Sequence, residues 1–390
     1  MVAQQEVFQN IVEFIRDQFP GRENISLHEP VFNGNEKKYL NEAIDTTYVS
    51  SVGIYVKMFE DMMCTITGAK HAVAIVNGTS ALHMALLVAD VHAEDEVISQ
   101  SLTFIATCNA ISYIGAKPVF IDIDRDTLGM SPARLEAFLT DQAERKADGF
   151  AYNKRSGRRI KACVPMHTFG FPCRIDEIAA ICEKWNITLV EDAAESIGSY
   201  YKGKHTGIFG VVAAFSFNGN KTVTCGGGGA LVTNDTDIAN RAKHLTTQAK
   251  MPHPWAFIHD SIAYNYRMPN INAALACAQL EQLGAFVSNK RELADIYNGF
   301  CRNNGLNLVT ETPDAKANYW LNALILENRK EREAFLQYAN DHGVMCRPVW
   351  ELMHHLPMFR EAEHADLSIS EWVADRLVNI PSSVRLLRNP

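Results

Sequence analysis

Short apolar runs alternate with helix-patterned stretches from about residue 70 onward. His71-Ala72-Val73-Ala74-Ile75-Val76 reads as a buried strand that ends at Asn77-Gly78-Thr79-Ser80, and Ala81 to Val88 then has helical composition. Further strand candidates are Glu96–Ser99, Pro118–Ile123, Ile160–Val164, Ile187–Glu191, Ala213–Phe217 and Ala230–Thr233. Helical patterns fit between several of them, as at Glu177–Trp185. This alternation predicts a mostly parallel, doubly wound α/β sheet covered by helices. In such sheets ligands gather at the carboxyl ends of the strands. Residues 140–160 are polar and predict a surface loop or hairpin. A long helical pattern from Ile271 to about Asn303 leads into a smaller unit: Tyr319–Glu327 strand-like, Glu331–His342 helical, Val344–Trp350 strand-like. The expected organisation is an N-terminal segment (1–40) packing with the small domain, a large domain (41–270) and a small α+β domain (271–390).

Composition narrows the class. The chain has 390 residues, 47% hydrophobic and 21% charged, with a net charge of −8. Its most basic stretch, Lys154 to Arg159, lies in a polar segment and reads as a solvated loop, so no nucleic-acid partner is expected. No apolar run is long enough to span a membrane, and the N-terminus lacks the apolar core of a signal peptide. The expected location is cytoplasmic. Nine cysteines are scattered without a C-x-x-C pair, which reads as reduced thiols, and no metal site is expected.

Chemistry enters with two strand ends. Ile187–Val190 runs into Glu191-Asp192-Ala193-Ala194-Glu195, and about thirty residues on, Phe215-Ser216-Phe217-Asn218-Gly219-Asn220-Lys221 precedes four glycines, Gly226 to Gly229. An aspartate at a strand end and a lysine in a glycine-rich loop suit pyridoxal phosphate. The lysine forms a Schiff base with the cofactor and the aspartate keeps the pyridine nitrogen protonated. Gly78-Thr79-Ser80 opens a helix and offers N–H groups and hydroxyls to a phosphate. Taken alone, Gly78-Thr79-Ser80 also reads as an ordinary helix start, Asp192 as an N-cap with Glu195 in a capping box, and Phe104 as core. The combination is far more specific than its parts.

The motifs Asn77 to Leu82, Thr103 to Thr107, Glu191 to Ala194, Phe215 to Phe217 with Lys221, and Tyr264-Asn265-Tyr266-Arg267 resemble the DegT/StrS-type nucleotide-sugar aminotransferases. That resemblance covers nearly the whole chain. It implies fold type I, with a seven-stranded, mostly parallel sheet between helices. It implies Lys221 as the Schiff-base lysine and Asp192 as the pyridinium partner. Gly78, Thr79, Ser80 and Ser216 would hold phosphate, Phe104 would stack on the ring, and Glu195 would lie near the cofactor. Asn265 would reach the cofactor of a neighbouring subunit, implying a homodimer with shared active sites. Val49, Ser50, Ser51, Asn218, His167, Arg347 and Trp350 are the implied substrate contacts; His167 also reads as a core or loop histidine.

Many family members carry Gln where this chain has Glu195 and His where it has Asn218. The Asn218-Gly219-Asn220-Lys221 form with four following glycines, His253-Pro254-Trp255 and Arg347-Pro348-Val349-Trp350 are similar to 4-aminotransferases of the bacillosamine and legionaminic acid pathways. The implied reaction aminates C4 of a nucleotide-linked 4-keto-6-deoxy-N-acetylhexosamine, with glutamate as donor. The alternatives are a dehydratase of the same fold, which carries histidine at the lysine position, and a non-catalytic cofactor-binding regulator.

Overall fold

The computed structural model describes residues 2–385. Seven strands build the central sheet: β1 (His71–Ile75), β2 (Glu96–Gln100), β3 (Lys117–Ile121), β4 (Ile160–Val164), β5 (Thr188–Asp192), β6 (Val212–Ser216) and β7 (Gly229–Thr233). Their order is β1-β7-β6-β5-β4-β2-β3. β7 runs antiparallel to β1 and β6, and the other neighbours pair in parallel. The strands are almost wholly buried, as expected for a sheet with helices on both faces. One apolar layer joins β1, β4, β5, β6 and β7 to the helix Gly78–Val88, whose burial on nearly all sides matches its Ala- and Leu-rich sequence.

The 140–160 segment forms the hairpin Ala143–Arg145 with Ala151–Asn153. The 271–303 pattern is not one helix but two, Asn270–Leu280 and Leu283–Asn303. The break is clamped by side chains: the amides of Gln279 and Gln282 both donate to Glu36 Oε1, at 2.6 and 2.7 Å. The predicted strand 319–327 shrinks to Asn322–Ile325 because Tyr319 takes φ 49° and Asn318 Oδ1 accepts from the Trp320 N–H at 2.8 Å, making a local turn. Of 344–350 only Arg347–Pro348 joins the second, four-stranded sheet, whose other members are Asn307–Leu308, Asn322–Ile325 and Leu377–Ile380. The helix Val2–Gln18 packs Phe8, Ile11 and Ile15 into one cluster with Leu293, Tyr297 and Leu324, beside this second sheet. All nine cysteines are free thiols. Among the described residues no helix is long and apolar enough to cross a membrane.

Candidate active site

The carboxyl ends of β1, β4, β5 and β6 converge on a cavity of about 290 Å³. Asn77 caps the helix that follows β1: its Oδ1 accepts from the Ser80 N–H at 2.8 Å. A cap of this kind is worth about 1 kcal/mol. Gly78 stands next, and a Cβ there would lie 2.7 Å from Ser216 Cβ. The same crowding recurs at Gly229, where a Cβ would meet the Asn77 carbonyl oxygen at 2.4 Å. Glycine at both places lets the turn after β1 cross the start of β7 and close on the end of β6, so Gly78, Thr79 and Ser216 line one wall. The helix N-terminus faces that wall with N–H groups not used within the helix.

Asp192 closes β5 and is 2% exposed. The Thr107 hydroxyl donates to its Oδ2 at 2.7 Å and the Ala194 N–H to its Oδ1 at 3.1 Å. Burial pushes this carboxyl up from its ordinary value, against the pull of Thr107, Ala194 and the Lys221 charge. A cationic ring N–H brought beside it would favour the carboxylate.

Lys221 follows β6 in an exposed loop, yet its Nζ points inward. It donates to Glu195 Oε1 at 3.0 Å and lies 3.8 Å from the centre of the Trp320 ring. The Trp320 indole N–H donates to the Asn220 carbonyl at 2.7 Å, which fixes the ring beneath the amine. Glu195 Oε2 accepts from the Phe169 N–H at 2.9 Å. Burial raises the Glu195 carboxyl to about 7, although Lys221 and the Phe169 N–H pull the other way.

The cavity brings together Gly78, Thr79, Phe104, Asp192, Glu195, Ser216, Asn218, Lys221 and Trp350. Phe104, 44% exposed, packs against Trp350 with ring centres 5.8 Å apart. Other expected residues lie outside it. Ser80 sits in the first turn of its helix, turned from the cavity, with its backbone on Asn77. Val49 and Ser50 give their carbonyls to the backbone of Ile271 and Asn270, and Ser51 beside them is half-buried. Arg347 is exposed and reaches Asn340 Oδ1 at 3.3 Å. Asn265 is exposed and pairs with Thr247. His167 is fully buried on the far side: its Nδ1 accepts from the Cys173 N–H, so Nε2 carries the proton and donates to Glu191 at 3.0 Å. It does not face this cavity.

Sequence reasoning missed three supports. Thr107 holds Asp192, and Trp320 holds Lys221. The third is Glu191, fully buried, whose two oxygens accept from the N–H groups of Gly207, Phe209 and Gly210 and from His167. Side chains alternate along a strand, so Glu191 points away from the cavity that Asp192 faces. It anchors the end of β5 from behind.

The residues fit pyridoxal phosphate. The crowded glycine leaves a cradle open at a helix N-terminus, and a buried carboxyl and a lysine line the same cavity. Comparisons agree. Residues 31–389 match the DegT/DnrJ/EryC1/StrS aminotransferase family. GDP-perosamine synthase of Escherichia coli O157:H7 is 38% identical over 358 residues, covering 92% of this chain and 93% of that protein. EpsN of Bacillus subtilis (strain 168), assigned as a pyridoxal phosphate-dependent aminotransferase, is 36% identical over 92% of this chain and 90% of that protein. A crystal structure of a DegT DnrJ EryC1 StrS aminotransferase from Brucella abortus superposes with a TM-score of 0.81 at 26% identity, covering 91% of each chain. The chain thus belongs to the DegT/DnrJ/EryC1/StrS aminotransferase family and is a pyridoxal phosphate-dependent enzyme.

Proposed function

We propose that the enzyme moves an amino group from glutamate to C4 of a nucleotide-linked 4-keto-6-deoxy-N-acetylhexosamine, releasing 2-oxoglutarate and a 4-amino-4,6-dideoxy sugar nucleotide for cell-surface glycan synthesis. The observation that carries this reading is the Lys221 amine, held by Glu195 at 3.0 Å within the same cavity as Asp192 and the Gly78 helix N-terminus. Pyridoxal phosphate, when bound, supplies an electron sink for the carbon that loses or gains the proton. Gly78, Thr79 and Ser216 bind its phosphate. Asp192, held by Thr107, keeps a proton on the ring nitrogen. Lys221 is the attachment point. Once released, its amine takes the proton from Cα of the donor, and in the second half-reaction it returns a proton to C4 of the sugar. Glu195, with its carboxyl near 7, holds the amine in place and can keep or shed a proton at working pH. The Phe104–Trp350 pair forms an apolar lip that shields these transfers from water.

The active site is completed by a second copy in this reading. Exposed Trp255, Phe257 and Ile262 (81, 80 and 93%) stand on the loop leading to Asn265, and covering them would remove a large apolar area from water. That placement supports a homodimer in which Asn265 serves the partner's cofactor.

The names of the relatives favour a second version of the substrate. Three of them, 34 to 38% identical, are GDP-perosamine synthases, which favours a GDP-linked sugar. Incubating the enzyme with glutamate and a panel of UDP- and GDP-linked 4-keto-6-deoxy sugars decides between the two. A 4-amino product from an N-acetylated substrate on either nucleotide supports the proposal, and amination confined to GDP sugars without the N-acetyl group replaces it with the second version. A dehydrated sugar, without 2-oxoglutarate, would overturn both.

A further inference from the structure

Away from the cavity, His354, His355 and Glu371 bring three potential ligand atoms within 4.8 Å of one another. The His354 and His355 Nε2 atoms converge on a single carboxylate oxygen, Glu371 Oε1, at 2.9 and 2.8 Å. The opposite nitrogen of each ring is already engaged. His354 Nδ1 lies 2.7 Å from Ser101 Oγ, and His355 Nδ1 lies 2.8 Å from Glu351 Oε1. With Nδ1 occupied by an outer hydroxyl or carboxylate, each ring presents Nε2 inward, the arrangement that orients metal-binding histidines.

The backbone under all three side chains is anchored. The Met353 N–H donates to the Ser101 carbonyl at 3.0 Å, pinning the His354-His355 turn to the end of β2. Glu371 stands on the helix Ser368–Ala374, whose first N–H groups, from Ile369 and Ser370, donate to the buried Asp122 at 2.8 Å each. His354 is only 13% exposed, whereas His355 (39%) and Glu371 (44%) are open to solvent. An ion therefore has both a fixed floor and an entry path.

We infer that His354, His355 and Glu371 form a binding site for a zinc-class divalent cation, with water completing the coordination. Nitrogen and carboxylate donors suit zinc, with bonds of about 2.0–2.2 Å. Tetrahedral ligands at that radius stand about 3.3 Å apart, so each Nε2 to Oε1 pair, now at 2.9 and 2.8 Å, needs to open by about half an ångström. The solvent-facing Glu371 side chain supplies that movement. The site joins the segment that begins at Trp350, on the wall of the active-site cavity, to the helix Ser368–Ala374 and to β2. Its bound ion clips these three together at the cavity's edge.

The test uses the cofactor-loaded full chain, stripped with a chelator and titrated with Zn²⁺ and separately with Co²⁺. The expected result is one Zn²⁺ per chain at micromolar free metal, a higher melting temperature with Zn²⁺, and a Co²⁺ spectrum free of thiolate charge-transfer bands. His355→Leu and Glu371→Gln each weaken Zn²⁺ binding at least about tenfold. Bound-cofactor absorbance and circular dichroism verify that both variants are folded. Failure of the wild-type chain to bind Zn²⁺ below millimolar levels overturns the inference. So does undiminished binding in both folded variants, or a thiolate band, which places the ion on the cysteines.

Discussion

Lys221 donates to Glu195 across 3.0 Å, so the site's lysine is held by Glu195, three residues beyond Asp192. Trp320, 3.8 Å from the same nitrogen, closes the other side. The amine is thus positioned by one buried carboxyl and one ring, leaving Asp192 available to the far end of a bound ring system.

Glu195 gives the chain a pH signature. Its carboxyl sits near 7 when folded against 4.5 ordinarily, so between these values the folded state binds the extra proton. Its contribution to stability is full below about pH 4.5 and is lost as pH rises through 7, by about 3 kcal/mol. Urea unfolding of the cofactor-free protein from pH 5 to 8 should show that decline, and Glu195→Gln should flatten it. An equal slope in the variant would assign the proton elsewhere.

Thr107→Val removes the hydroxyl that donates to Asp192 at 2.7 Å and leaves a buried carboxylate oxygen without that partner. A hydrogen bond to a charged group is worth about 1.5–3 kcal/mol, so turnover should fall roughly 10- to 100-fold. The Asp192 carboxyl, already pushed up by burial, should rise further, and the acid limb of the rate profile should move to higher pH. Steady-state rates across pH check both effects.

Gly78→Ala places a methyl 2.7 Å from Ser216 Cβ, where neither strand end can yield without shifting the phosphate cradle. Overpacking of this kind costs about 1–3 kcal/mol. Cofactor affinity, read by titrating the apoenzyme, should drop by about one to two orders of magnitude while the sheet remains folded.

Much of this was legible in the residues before the fold was known. The central strands announce themselves as short apolar runs, and Asn77-Gly78-Thr79 and Asp192, read separately as strand ends, line the same cavity. What stayed hidden depends on tertiary approach. Trp320 sits in a run that reads as strand, and only the turn at Tyr319 aims it under Lys221. His167 enters as a substrate contact only through the family resemblance, and its ring points to the face that Glu191 occupies, as a core histidine would. Adjacent His354 and His355 have no spacing motif with Glu371; Ser101 and Asp122, from other parts of the chain, bring them together.

The most direct measurement is release of 2-oxoglutarate from glutamate, in the presence of the accepted 4-keto sugar nucleotide, by the wild-type enzyme and by Lys221→Ala. The account predicts release matched one-to-one by aminated sugar in the wild type. It predicts neither product from Lys221→Ala, together with loss of the visible absorbance of lysine-bound cofactor. Sustained turnover by Lys221→Ala would contradict it.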